Sequence, residues 1–178
     1  MKQQYRGVTH AWLQSIVVVL ALAFGAFAIT ADAAEKKEQT CVKTNLRTAH
    51  KTVVTIGDVP NHEISQELSI SDLKCPIPDF KNMEEWAYIH SDMIDGSGNQ
   101  NGYFVDTHED GSKTYGDFQG TIKTTVKDGG SWEANWEGSY KYLGGSGKYK
   151  NIKGNGTYKG RMSSTEPGKE ESREVVEY

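Results

Sequence analysis

The chain has 178 residues, a formal net charge of −4, 19 glycines and two cysteines. This length fits one domain behind a leader, and a mildly acidic balance excludes the basic face with which nucleic-acid binders release counterions. After residue 33, Leu, Ile, Val and Phe are sparse, so eleven Trp and Tyr residues must supply the bulk of a core; 17 glycines in the same stretch exclude a helical bundle and point to a bent, bulged sheet.

Lys2 and Arg6 precede an apolar run of 14 residues, 16–29 (IVVVLALAFGAFAI), and Ala31-Asp32-Ala33 forms a small-x-small site. This is the anatomy of a secretory signal peptide over residues 1–33. The run is short of the roughly 20 apolar residues of a spanning helix, so cleavage before Ala34 leaves no transmembrane anchor and the protein is expected to be periplasmic or secreted. Residues 34–40 are charged and read as a flexible mature start. Residues 41–162 read as the folded domain, and 163–178 as a charged tail broken by Pro167-Gly168, with 174–178 a candidate closing strand.

Cys41 and Cys75 stand 34 positions apart. In an oxidising compartment an even pair predicts a disulfide, contributing about 3 to 4 kcal/mol on the chain-entropy account; two buried thiols are the alternative. From Cys41 onward the pattern has period two, which predicts strands. These fall at 42–48, 53–56 and 64–72, the last with Ile64, Leu68 and Ile70 on one face. Two prolines in Lys74-Cys75-Pro76-Ile77-Pro78 interrupt them, and 83–86 reads as a helical turn. Strands at 86–94, 102–108, 113–127 and 131–143 follow, bounded by Gly, Asn and Asp turns.

The strand at 131–143 is the clearest. Trp132, Ala134, Trp136, Gly138, Tyr140 and Tyr142 share one face, and polar residues share the other. Successive strands without an intervening long helix predict an all-β fold: a small closed antiparallel barrel of about eight strands, since closure removes exposed edges.

Residues 143–160 (LGGSGKYKNIKGNGTYKG) resemble the glycine-rich hairpin of the allene oxide cyclase barrel-like superfamily, and its bacterial exported members in particular. Gly144, Gly145, Gly147, Tyr149, Ile152, Gly154, Gly156 and Tyr158 carry the resemblance, with Trp136-Glu137-Gly138 ahead of them and Gly102-Tyr103 and Phe118 to Gly120 as a secondary match. It implies a calycin-like eight-stranded barrel with an apolar interior. The plant cyclases act with a Glu and an ordered water in a polar cavity. Gly57-Asp58-Val59-Pro60 is similar to a Gly-Asp-x-x-Pro stretch of theirs but one residue out of step, so no catalytic residue is carried over.

His90-Ser91-Asp92 and Asp106-Thr107-His108 each place a His and a carboxylate on one strand face. With the intervening turn centred on Asn99, His90 faces His108 and Asp92 faces Asp106, and the four could ligate a divalent metal. A competing register, centred between Gly98 and Asn99, gathers Trp86, Tyr88, Ile94, Tyr103 and Val105 on one face, and hydrophobic burial favours it. The six basic residues of 141–161 read as outward, solubilising charge. Trp132, Trp136, Tyr140 and Tyr142, with Trp86 and Tyr88, are the candidate ligand contacts, either lining a pocket or filling a core. No nucleotide fingerprint, nucleophile triad or paired-cysteine metal motif calls for a cofactor. The resulting expectation is an exported, non-catalytic barrel that binds a small hydrophobic molecule and is free to form a homo-oligomer. The alternatives are an isomerase or cyclase of the allene oxide cyclase type and a structural or surface-interaction protein.

Overall fold

The computed structural model describes residues 36–178, so the predicted signal peptide lies outside the described residues. Eight strands follow one another in chain order: β1 (Lys37–Thr55), β2 (His62–Lys74), β3 (Asn82–Ile94), β4 (Ser97–His108), β5 (Lys113–Val126), β6 (Trp132–Gly145), β7 (Lys153–Ser163) and β8 (Lys169–Glu177). Each pairs antiparallel with the next, and β8 returns to β1, closing the barrel predicted from the alternation. Every strand therefore has two neighbours along part of its length, and no long edge is left to template aggregation.

Several elements differ from the sequence expectation. Residues 37–40, expected to be flexible, are already strand, because Lys37 to Thr40 pair with Val176 to Arg173 of β8. The strands expected at 42–48 and 53–56 are one, bent where its pairing with β2 slips between Thr44 and Arg47 and again between Thr48 and His50. Asn45 takes a positive φ of 55° at the first slip. Residues 83–86 are strand; the helical turn lies earlier, at Pro78–Phe80, where Pro78 has no N–H to lose from a ladder.

The β3–β4 hairpin turns on Asp95-Gly96, with φ of 52° and 70°. Two consecutive positive φ values define a type I′ turn, whose twist suits a two-residue hairpin and which Asp-Gly favours. Both registers considered from the sequence are thereby corrected. His90 pairs with Asn101, Asp92 with Asn99, Glu85 with Asp106 and Met83 with His108.

One end of the barrel is plugged. Phe80 and Tyr149, from the 3-10 turns at Pro78–Phe80 and Gly147–Tyr149, are fully buried together with Val176. Phe80 meets Tyr149 edge-on at 5.2 Å and His108 at 5.1 Å, while His108 stacks on Tyr149 at 4.1 Å. Beside them Cys41 and Cys75 form the expected disulfide, which ties β1 to the segment after β2. At the opposite end the far half of β1 is exposed on both faces, and among the described residues nothing comparable closes the mouth.

Candidate functional site

Between plug and mouth the barrel encloses a cavity of about 360 Å³. One wall is aromatic. Trp136, Tyr140 and Tyr142 of β6 face inward, with Phe104 of β4, Phe118 of β5 and Tyr158 of β7 beside them. The inward positions of β7 between these rings are glycines, and this explains the glycine-rich hairpin. A Cβ at Gly160 would overlap the Trp136 ring, and one at Gly156 would overlap the Tyr140 ring. Bare backbone lets both rings lie flat on the wall instead of filling the lumen.

The lining on either side of it is polar. Glu85 of β3, Asp106 of β4, and Glu170 and Glu174 of β8 point inward and are buried. They hold the aromatic wall by its polar tips: Trp136 Nε1 donates to Glu170 at 2.6 Å, and the hydroxyls of Tyr140 and Tyr142 donate to Glu174 at 2.7 and 2.8 Å. Gln39 also donates to Glu174. Burial raises the pKa of Tyr140 and Tyr142, with the Glu174 carboxylate adding to it, so both stay protonated donors. Lys43 of β1 sits 2.7 Å from both Glu85 and Glu170. Burial pulls its ammonium down, but the two carboxylates outweigh burial and hold it above the usual lysine range.

Deeper in the cavity, Asp106 is 1% exposed. Its Oδ2 lies 3.1 Å from the Thr114 hydroxyl, which lies 3.2 Å from His108 Nε2; Asp106 Oδ1 is buried without a partner. Burial first, and then the neighbouring Glu85 charge, push Asp106 well above the usual carboxylate range, whereas burial lowers His108. Burial also raises Glu85, partly offset by Lys43.

The sequence-predicted residues divide between the two faces. Trp136, Tyr140 and Tyr142 line the cavity; Trp132 stands on the same face of β6 nearer the mouth and is half-buried. Trp86 and Tyr88, expected beside them, are on the outer surface, 37% and 50% exposed, paired with Val105 and Tyr103. The face that hydrophobic burial was expected to turn inward is thus the outer one, because β2, β3 and β4 present Ser, Glu, Asp and Gln to the lumen. The four-residue metal cluster does not form. His90 and Asp92 are exposed outside, while Asp106 and His108 are buried within. Asp92 instead accepts from His62 Nε2 at 2.8 Å, whose Nδ1 lies 2.6 Å from Asp58 at the mouth. Cys41, Cys75 and Glu174 approach one another as metal ligands would, but both sulfurs are bonded in the disulfide.

Sequence reasoning passed over Glu170 and Glu174 as part of a charged tail. The signal was the period-two run Glu170, Ser172, Glu174 and Val176, whose inward face is mostly polar. A polar face reads as solvent-exposed until a second wall is known to pack against it.

No protein-family profile matches the chain, and no curated protein matches it in sequence. Among solved structures it is similar to a pterocarpan synthase dirigent protein, with a TM-score of 0.43 and 13% identity over 81% of this chain and 86% of that one. At this identity the likeness concerns the barrel alone. The protein is a disulfide-bonded, eight-stranded antiparallel β-barrel.

Proposed function

We propose that the protein is an exported, non-catalytic binder that holds a small, largely apolar molecule inside its barrel. The observation that carries this reading is the hollow interior. A filled barrel would interdigitate its aromatics across the lumen, whereas here carboxylates on β8 pin the β6 rings to one wall, leaving about 360 Å³ open at one end. Glu85, Glu170 and Glu174 are engaged in holding Lys43, Trp136 and the tyrosines, which supports a binding role over acid–base turnover. An oxidised Cys41–Cys75 pair supports export, and no helix among the described residues is long and apolar enough to cross a membrane. Intact mass of the native protein should correspond to a chain starting at Ala34.

Calorimetric titration with terpenoid, quinone and fatty-acid probes tests the cavity. Ala87 lines it from β3, so Ala87→Phe should fill the space and abolish binding, while Tyr88→Ala on the outer face should leave binding unchanged. No saturable binding by any probe, or binding indifferent to Ala87→Phe, would refute the reading. Turnover of a bound compound, lost on changing Asp106, would instead favour the isomerase alternative.

A further inference from the structure

The hydrogen-bond directions around Asp106 start from one atom outside the cavity. His108 Nδ1 lies 3.1 Å from the backbone carbonyl of Asp79, which can only accept, so Nδ1 carries a proton. In the neutral imidazole Nε2 is then an acceptor and takes the single proton of the Thr114 hydroxyl. Thr114 donating to an Asp106 carboxylate would require Nε2 to carry a second imidazole proton; with His108 neutral, Thr114 has no proton left for Oδ2, so Oδ2 itself donates and Asp106 is a neutral acid in the empty barrel. Burial, which raises Asp106 and lowers His108, favours the same proton placement. What remains is Oδ1: a buried acceptor with no donor, on a residue that lines the cavity.

An unpartnered buried acceptor is unfavourable until something donates to it. The groups facing Asp106 do not. Glu85 of β3 and Glu174 of β8 are acceptors, the Tyr142 hydroxyl of β6 is committed to Glu174, and Lys43 of β1 is held between Glu85 and Glu170. A ligand that displaces water from this end of the cavity must therefore bring a donor of its own. Charge narrows its class. The cavity lining carries six carboxyl groups against Lys43, Arg47 and Lys51, so with Asp106 neutral the balance is still five negative to three positive. A hydroxyl would satisfy Oδ1 but leave that imbalance. An ammonium satisfies both, and Phe104, Tyr140 and Tyr142, packed edge to face at 5.6 to 6.0 Å, offer ring faces to its body and its charge.

Resting on the binding reading above, we infer that the cavity selects a small organic ammonium on an apolar body, its N–H groups donating to Asp106 and its body lying against Phe104, Tyr140 and Tyr142. A cation beside Asp106 favours its ionised form, and the displaced proton has a path. The Oδ2–H bond breaks and the proton passes to water in the cavity, leaving by its open mouth as the ligand enters, while Thr114 and neutral His108 keep their hydrogen bond.

The test compares phenethylamine, 2-phenylethanol and phenylacetate by isothermal titration at pH 7 in two buffers of different ionisation enthalpy. The amine should bind about tenfold or more tightly than the alcohol, the acid weakest, with release of about one proton per amine bound. Asp106→Asn should bring amine and alcohol to similar affinity and remove the proton release. Alcohol or acid binding as tightly as the amine, with all binding still abolished by Ala87→Phe, overturns the ammonium inference and leaves the cavity reading standing. Failure of all three compounds and of the apolar probes overturns both. Should Asp106→Asn not fold, the wild-type proton count decides by itself, and amine binding without proton release overturns the inference.

Discussion

Replacing Lys43 with Met tests whether the polar wall is held by charge pairing. Its Nζ stands 2.7 Å from Glu85 and from Glu170, and the three side chains are 15%, 8% and 9% exposed. Met keeps most of the volume but leaves two carboxylates facing each other in a shielded lumen. Removing one partner of a buried ion pair costs about 3 to 5 kcal/mol, because the remaining charge is uncompensated. At about 3 °C per kcal/mol for a domain near this size, that is a fall in Tm of about 10 to 15 °C at pH 7. The pH dependence carries the diagnosis. Without Lys43, Glu85, already raised by burial, should rise further above its unfolded value, so the folded variant binds more protons and its stability rises as pH falls. The gap to wild type should narrow from pH 8 to pH 5 in thermal or urea denaturation, and Glu85→Gln with Glu170→Gln should recover most of the loss at pH 7. A loss below about 1 kcal/mol, within the range of an exposed pair, or a loss independent of pH, would refute the assignment of a buried triad.

Three further outcomes are expected. Reduction of Cys41–Cys75, which closes a 34-residue separation, should cost about 4 kcal/mol on the chain-entropy account, measured by denaturation with and without reductant; alkylation of the unreduced, unfolded protein should label neither cysteine. His62 is held above its ordinary pKa, chiefly by its hydrogen bonds to Asp58 and Asp92, so the link it makes between the β1–β2 turn and β3 should be complete below about pH 6.5 and lost as pH rises through the raised folded-state pKa. An NMR titration midpoint at or below that of a free histidine, or one unmoved by Asp92→Asn, would contradict this. Gly160→Val should push the Trp136 ring off its wall at a cost of about 1 to 3 kcal/mol and shift its emission; an unchanged spectrum and stability would show that the ring does not rest on that glycine.

By itself the sequence determined the all-strand architecture, the closure and the aromatic side of β6. Period-two alternation and frequent turn residues are local properties, legible without knowing what packs where, and in β6 the contrast between Trp/Tyr and Glu/Lys is strong enough to reveal the buried face. The cysteine pair was legible for a similar reason, since two cysteines allow one connectivity. The tertiary structure alone decided which face of β2, β3 and β4 looks inward. Alternation is symmetric under exchange of faces, so apolar Leu68, Ile70, Trp86 and Tyr88 predict a core side, yet barrel curvature turns Ser65, Glu85 and Asp106 to the lumen. The shift of the β3–β4 turn to Asp95-Gly96 separated His90 and Asp92 from Asp106 and His108, because an odd pairing sum places even positions of one strand beside odd positions of the next. The polar wall, too, exists only after closure: β8 brings Glu170 and Glu174 against Lys43 and the β6 rings from more than 30 residues away, and no local pattern encodes a contact made by the last strand returning to the first.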